Sequence, residues 1–237
     1  MGIEGLKVEE INSKVAQYWS VSVTEETAST QIELANNFEA GKVLVAEYQS
    51  AGRGRLDRKF EVPPRKGLTF SFCISVDKDF GWIPLITGGA VARAINNYLG
   101  DARVEIKWPN DLLINGKKLA GILSEKNPNG VIVGVGINIF QTAEELPIAN
   151  AISLSMIADV DRSNLLIDIL NELGKALSDL ELEKARYREL CGTIGKPIRA
   201  TLPSGEIIED TAIGISDDGA LLLNSREISV GDIVHLR

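Results

Sequence analysis

From about Thr193 onward this chain has little choice but a small all-β unit. Short apolar or alternating runs at Ile198–Leu202, Ile207–Ile215, Ala220–Leu223, Glu227–Val230 and Ile233–Leu236 are split by Pro203-Ser204-Gly205, Ser216-Asp217-Asp218-Gly219 and Gly231-Asp232. None of these runs is long enough for a helix, and turn formers bound each one, which is the pattern of a small barrel. A unit of that size buries too little surface to stand alone and is expected to lean on the rest of the chain. Upstream, helical and strand patterns mix without a regular βαβ alternation, which indicates an α+β domain with a mixed sheet. The expected division is residues 1–190 and 191–237.

Within the larger part, Ile11, Val15 and Trp19 recur at helical spacing. Ser29 or Thr30 suits a helix N-cap and Gly41 a C′ position for the segment between them. Val43–Gln49 and Gly67–Val76 read as strands. Leu85–Leu99 reads as a helix closed by Gly100, with Val91, Ile95 and Tyr98 on one face; its costly Gly88-Gly89 pair implies close packing. Three strands follow at Val104–Lys107, Lys118–Glu125 and Val131–Ile139, with a hairpin turn at Asn115-Gly116. Ser163 to Leu190 is the longest helical pattern, its stripe formed by Leu166, Ile169, Leu170, Leu173, Leu177 and Leu180.

Composition removes several function classes. No apolar run in the 237 residues approaches the ~20 needed to span a bilayer, and the N-terminal stretch lacks the layout of a signal peptide, so a cytoplasmic protein is expected. His235 is the single histidine, and Cys73 and Cys191 lie far apart, which argues against imidazole-dependent nucleophilic catalysis and against a structural zinc site. A formal charge of −8 argues against broad nucleic-acid binding. Any cationic site must be local.

The sequence offers one such site. Gln49-Ser50-Ala51-Gly52-Arg53-Gly54-Arg55, continuing to Arg58, follows an apolar strand. Glycine allows tight turning and close approach to a ligand, and arginine offers a planar fork matched to carboxylates and phosphates. The stretch is either an anion trap or a solvated basic turn. Lys107-Trp108-Pro109-Asn110-Asp111 can expose Asn110 and Asp111 to a metal–nucleotide or a sugar hydroxyl, or can close an Asx-turn. Lys118, entering an apolar strand, is an edge guard, a snorkelling side chain or an anion ligand. Gly134 and Gly136 in one strand mark either a bulge or the approach of a ligand.

In combination and order, Ser29-Thr30, Gln49 with GRGR, KWPND, KKLAGIL and GVGIN resemble the catalytic region of the biotin protein ligases, over about Thr24 to Ile139. The resemblance implies a class II synthetase-like mixed sheet flanked by helices, followed by an SH3-like barrel. It implies a two-step reaction in which biotin and ATP give biotinyl-5′-adenylate and pyrophosphate, and biotin then passes to a lysine of a biotin carboxyl carrier domain. Carried over by motif, Ser29, Thr30, Gln31, Gln49, Arg53, Gly54, Arg55, Lys118 and Gly121 would bind biotin. Arg53, Arg55, Arg58, Lys107, Trp108, Asn110, Asp111, Lys118 and Asn138 would bind ATP and the adenylate, with Lys118, Arg53 and Arg55 catalytic. Mg2+ is expected with ATP, a homodimer is expected, and the Gly/Arg loop is expected to close over the adenylate. Fewer than 30 residues precede Ser29, too few for the winged-helix DNA-binding domain of some family members, so no DNA partner is expected. Asp57 and Phe60 depart from the family's frequent Gly and Trp.

The chemistry is consistent with that implication. A carboxylate meeting an α-phosphate needs fixed positive charge but no general base, because it is already ionised near neutral pH. Two rivals stand beside this reading: a lipoate- or octanoyl-type ligase or transferase, and a non-catalytic biotin or nucleotide sensor.

Overall fold

A computed structural model describes residues 3–55 and 58–236. In chain order the first part contains α1 (Val8–Lys14), β1 (Ser20–Thr24), α2 (Thr30–Asn36), β2 (Lys42–Ala46), β3 (Gly67–Ile74) and α3 (Trp82–Asn96). It continues with β4 (Glu105–Lys107), β5 (Asp111–Ile114), β6 (Lys117–Asn127), β7 (Gly130–Asn138), α4 (Arg162–Ser178) and α5 (Leu180–Leu190). The strands form one seven-stranded sheet in the order β1-β2-β3-β7-β6-β5-β4, antiparallel except for the parallel pair β1–β2. The mixed α+β architecture is therefore as expected.

Strand alternation divides the work of the two faces. Phe70, Phe72, Val131, Val133, Val135 and Ile137 belong to the large core cluster that α3 and α4 also enter. The intervening positions, Thr69, Ser71, Gly134, Gly136 and Asn138, fall on the opposite face and line a cavity. On that side α2 covers only a small patch of Leu34, Leu44, Cys73 and Ile132. One face is thus sealed by helices and the other is left partly open by small residues. Gly88 explains its own cost: a Cβ there would lie 3.3 Å from Ile122 Cδ1, so α3 sits close on the sheet.

The C-terminal part is a second sheet, β8 (Pro197–Thr201), β9 (Ile207–Ile215), β10 (Leu221–Leu223), β11 (Glu227–Ile228) and β12 (Asp232–His235), antiparallel in the order β11-β10-β9-β8-β12. Its inner residues, including Ile198, Ala200, Ala212 and Leu221, join the same core cluster as the large sheet. Two indoles fasten the junction: Trp82 Nε1 donates to the Asp217 carbonyl at 2.7 Å and Trp108 Nε1 to the Gly219 carbonyl at 3.1 Å. Buried tryptophan favours such a site because its N–H needs a partner.

Several expectations need correction. The N-terminal helix stops at Lys14, with Val15 already extended. Trp19 lies beyond it, donates from Nε1 to the Leu170 carbonyl at 2.8 Å and meets Phe72 edge-on, so its spacing was coincidental. Strand β1 follows immediately at the sheet edge, and its Ser-Val-Ser-Val-Thr alternation was an available signal for it. Ser29 occupies the N-cap position of α2 without a capping hydrogen bond, and Gly41 lies beyond the helix end at Asn37. The third helix is shifted to Trp82–Asn96, leaving Tyr98 and Gly100 outside, because Pro84 is tolerated in a first turn. The long helical pattern is two helices, since Asp179 leaves helical geometry and accepts from Leu182 N–H at 3.1 Å as the cap of α5. Lys118 is on an interior strand, so it guards no edge.

Candidate active site

The open face of the sheet holds a cavity of about 220 Å³ with chemically distinct ends. One end is neutral and polar. Thr30 Oγ1 lies 3.0 Å from Gln49 Oε1 and 2.7 Å from Ser71 Oγ, while Ser71 Oγ donates to Gln31 Oε1 at 3.1 Å. Gln49 Oε1 also accepts the Thr30 backbone N–H at 2.8 Å, which ties the start of the Gly/Arg loop to the start of α2. Ser29 lines the same end and is buried.

The floor is glycine. A Cβ on Gly136 would lie 2.4 Å from the Phe60 ring, and one on Gly134 would lie 2.7 Å from Gln31 Oε1. No register shift accompanies these glycines in the β3–β7 or β6–β7 pairings, so they are not a bulge. They make room. Gly121, beside them on β6, faces Lys118 at 3.5 Å in the same sense.

The other end is cationic. The Gly/Arg loop folds back on itself: Phe60 N–H donates to the Gly52 carbonyl at 2.9 Å and Gly54 N–H to the Arg58 carbonyl at 2.7 Å. The fold-back needs glycine, since a Cβ at Gly52 would meet the Phe60 carbonyl oxygen at 2.2 Å. Arg55 Nη1 donates to Asn110 Oδ1 at 2.9 Å and reaches the Gly231 carbonyl at 3.4 Å. Arg53 pairs with Glu125 at 3.1 Å, and Arg58 pairs with Asp232 of β12. Lys118 Nζ stands 2.5 Å from Asp111 Oδ1 as an ion pair. In this state the basic residues rest on internal carboxylates and carbonyls.

Most residues expected from the motifs converge here. Ser29, Thr30, Gln31, Gln49, Arg53, Gly54, Arg55, Arg58, Asn110, Asp111, Lys118, Gly121 and Asn138 all line the cavity. Asn110 is not spent on an Asx-turn: its Nδ2 donates to the Ile122 carbonyl at 3.1 Å while Oδ1 receives Arg55. Asn138 forms part of the wall, donating to the Ile152 carbonyl at 3.2 Å and accepting from Gln141 Nε2 at 2.9 Å. Trp108 is different. It is buried and lines a second cavity of about 210 Å³ beneath the junction, which meets the first at Arg55 and Asn110. Lys107 touches neither cavity; it stands 3.9 Å from Asp111, and burial pushes its ammonium below the usual lysine range against the pull of that acid. Asp57 lies outside the described residues.

Sequence reading passed over Ser71, Glu125, Asp232, Pro147 and Ile148, which also line or pair within the site. Thr69 and Ser71, polar at alternate positions of an apolar strand, were the available signal for the cavity face. Asp232 and Ile148 arrive from distant segments and had none.

Comparison with known proteins agrees with this geometry. The model of the biotin/lipoate A/B protein ligase family matches residues 20–139, and that of the biotin protein ligase C-terminal domain matches residues 193–236. A biotin–[acetyl-CoA-carboxylase] ligase of Mycobacterium tuberculosis is 34% identical, covering 92% of this chain and 89% of the relative. The bifunctional ligase/repressor BirA of Bacillus subtilis is 33% identical over 94% of this chain and 73% of its own length. The biotin protein ligase of Aquifex aeolicus, solved in complex with biotin and ATP, superposes with a TM-score of 0.78 at 28% identity, covering 92% of this chain and 98% of that one. With its glycine-floored cavity between a hydroxyl cluster and a group of basic side chains, this chain belongs to the biotin/lipoate A/B protein ligase family.

Proposed function

We propose that the protein is a biotin–protein ligase that activates biotin with ATP to biotinyl-5′-AMP and then transfers biotin to a lysine of a carboxylase's biotin carboxyl carrier domain. The observation that carries this reading is the two-ended cavity. Hydroxyls and amides of Ser29, Thr30, Gln31, Ser71 and Gln49 meet a polar ring, the glycine floor admits an apolar ring and tail, and Arg53, Arg55, Arg58 and Lys118 receive anions. In the first step a carboxylate oxygen bonds to the α-phosphorus and pyrophosphate leaves. The basic residues offset the repulsion between two anions, and their resident acids are displaced as the substrates enter. In the second step the carrier's lysine amine bonds to the acyl carbon and AMP leaves.

Mg2+ fits this site. It is typically held by one or two carboxylates together with substrate phosphates, so a dedicated cage is unnecessary. Among the described residues there is no cluster of three metal-ligating side chains, but the Asp111 carboxylate lines the cationic end of the cavity, paired in this state with Lys118. Asp111 would hold the ion, which would neutralise phosphate charge.

The reading includes an SH3-like C-terminal unit, a cytoplasmic protein and a homodimer. No helix among the described residues is long and apolar enough to cross a membrane. Light scattering tests the dimer. The edges of the large sheet are partly engaged, since Asn12 brackets Val21 with two hydrogen bonds of 2.9 Å and Gly192 N–H donates to the Ile106 carbonyl at 2.9 Å.

The deciding experiment is ATP–pyrophosphate exchange with biotin, lipoate and octanoate in parallel, followed by single-turnover transfer of labelled biotin to a carrier domain. Exchange with biotin and transfer to the carrier are expected. Exchange supported only by lipoate or octanoate would identify the other branch of the family, and biotin binding without exchange would identify a sensor.

A further inference from the structure

Between α2 and β3 lies a chain of oxygen atoms with more contacts than protons. Thr30 Oγ1 touches Gln49 Oε1 and Ser71 Oγ, and Ser71 Oγ touches Gln31 Oε1, at 3.0, 2.7 and 3.1 Å. Neither amide can flip to supply a proton. Gln49 Oε1 is fixed by the Thr30 backbone N–H at 2.8 Å, and Gln31 Nε2 is fixed by the Ile132 carbonyl at 3.0 Å. Amide oxygens only accept and each hydroxyl donates once, so two protons serve three contacts. Whichever way the hydroxyls turn, one pair of oxygens faces lone pair to lone pair. Ser71, Thr30 and Gln31 are only 1%, 2% and 3% exposed, a setting in which an unpaired polar group is costly. All the same residues line the cavity, and Gly134 keeps them open to it, since a Cβ there would lie 3.3 Å from Ser71 Oγ.

We propose that Ser71 is a specificity-determining residue: with Thr30 it forms an acceptor site one proton short, which a ring N–H of the substrate completes. The inference rests on biotin as the substrate and says how the site prefers it. A cyclic urea brings N–H donors to this end of the cavity. An acid ending in an alkyl chain or a dithiolane brings none and leaves the oxygen pair uncorrected. Sites built around buried polar groups reject analogues that lack the matching group far more strongly than apolar pockets do.

The test uses two isosteric biotin analogues, cyclic carbamates in which one or the other ring N–H is replaced by oxygen. Calorimetric binding of biotin and both carbamates is measured with the wild-type protein, Ser71→Ala and Ser71→Cys, the second variant preserving side-chain volume. In the wild type one carbamate is expected to bind on the order of a hundredfold more weakly than biotin, the scale of one unsatisfied buried polar group. In both variants that ratio should fall to about tenfold or less, because Thr30 alone can then satisfy Gln49. A residue with a merely structural role would shift all ligands together and leave the ratio unchanged. Equal ratios in all three proteins for both carbamates would overturn the proposal. Failure of the wild-type protein to bind biotin would instead refute the substrate reading, and the role of Ser71 with it.

Discussion

Lys118 is where the proposed chemistry is most exposed to test. Its ammonium lies 2.5 Å from Asp111, and the two side chains are 33% and 20% exposed. A pair so accessible contributes about 1 kcal/mol or less to folding, so Lys118→Ala should stay folded with nearly unchanged stability. Its effect on catalysis should be much larger. Removing one preorganised group that meets developing charge costs about 10²–10³-fold. The variant also leaves Asp111 unneutralised where the phosphate is to sit. At an effective dielectric of about 20, a further ~1.4 kcal/mol of repulsion, about tenfold, is a modest allowance. Biotin-dependent pyrophosphate exchange should therefore fall by about 10³–10⁴-fold in kcat/KM. Asp111→Asn alone should also lose activity, because it removes the carboxylate that would hold Mg2+. Circular dichroism and urea unfolding verify the fold, and exchange kinetics give the rate. If Lys118→Ala retains exchange within about tenfold of wild type, the assignment of the anion-binding end is wrong.

Three further outcomes are expected. Arg162 and Glu47 form a bidentate buried pair at 2.6 and 3.2 Å, with Arg162 also donating to the Glu4 carbonyl at 2.7 Å; Arg162→Ala should lose about 3–5 kcal/mol in denaturant unfolding, and a loss under about 1 kcal/mol would contradict that burial. Gly136→Ala would put a methyl 2.4 Å from the half-buried Phe60 ring, so steady-state kinetics should show biotin KM raised about tenfold while thermal stability changes little. His235 is held below its ordinary value of 6.5 by burial and by Lys196 and Lys107, so in the window just below 6.5 the unfolded chain binds more protons than the folded one. Stability should consequently fall as pH drops through that window and level off below the folded value. His235→Gln should flatten this part of a denaturation–pH profile, and an unchanged slope would remove His235 as its source.

Local signals made much of the site readable. The hydroxyls before α2, the glycines of the loop, the Asn115-Gly116 turn and the paired glycines of β7 each need a specific backbone or a missing side chain, and such needs are written in single residues. The errors came where spacing alone was used. Trp19 matched a helical period yet belongs to the strand side of the core, where Phe72 and the Leu170 carbonyl hold it. Trp108, in the middle of an informative motif, faces the inter-sheet junction rather than the main cavity because its indole N–H is spent on Gly219. Asp179 broke a continuous apolar stripe, since a capping carboxylate satisfies the first turn of a new helix.

By itself the sequence determined the mixed α+β character, the separate all-β ending and the basic residues proposed to gather anions, because propensity, alternation and turn chemistry act over a few neighbours. Only the tertiary structure decided what those residues face. The pairing of Arg58 with Asp232, the reach of Arg55 to Gly231 and the contact of Thr30 with Ser71 join segments 174, 176 and 41 residues apart. Such contacts follow from which strands lie side by side and which face each strand turns to the cavity, and no local stretch carries that information.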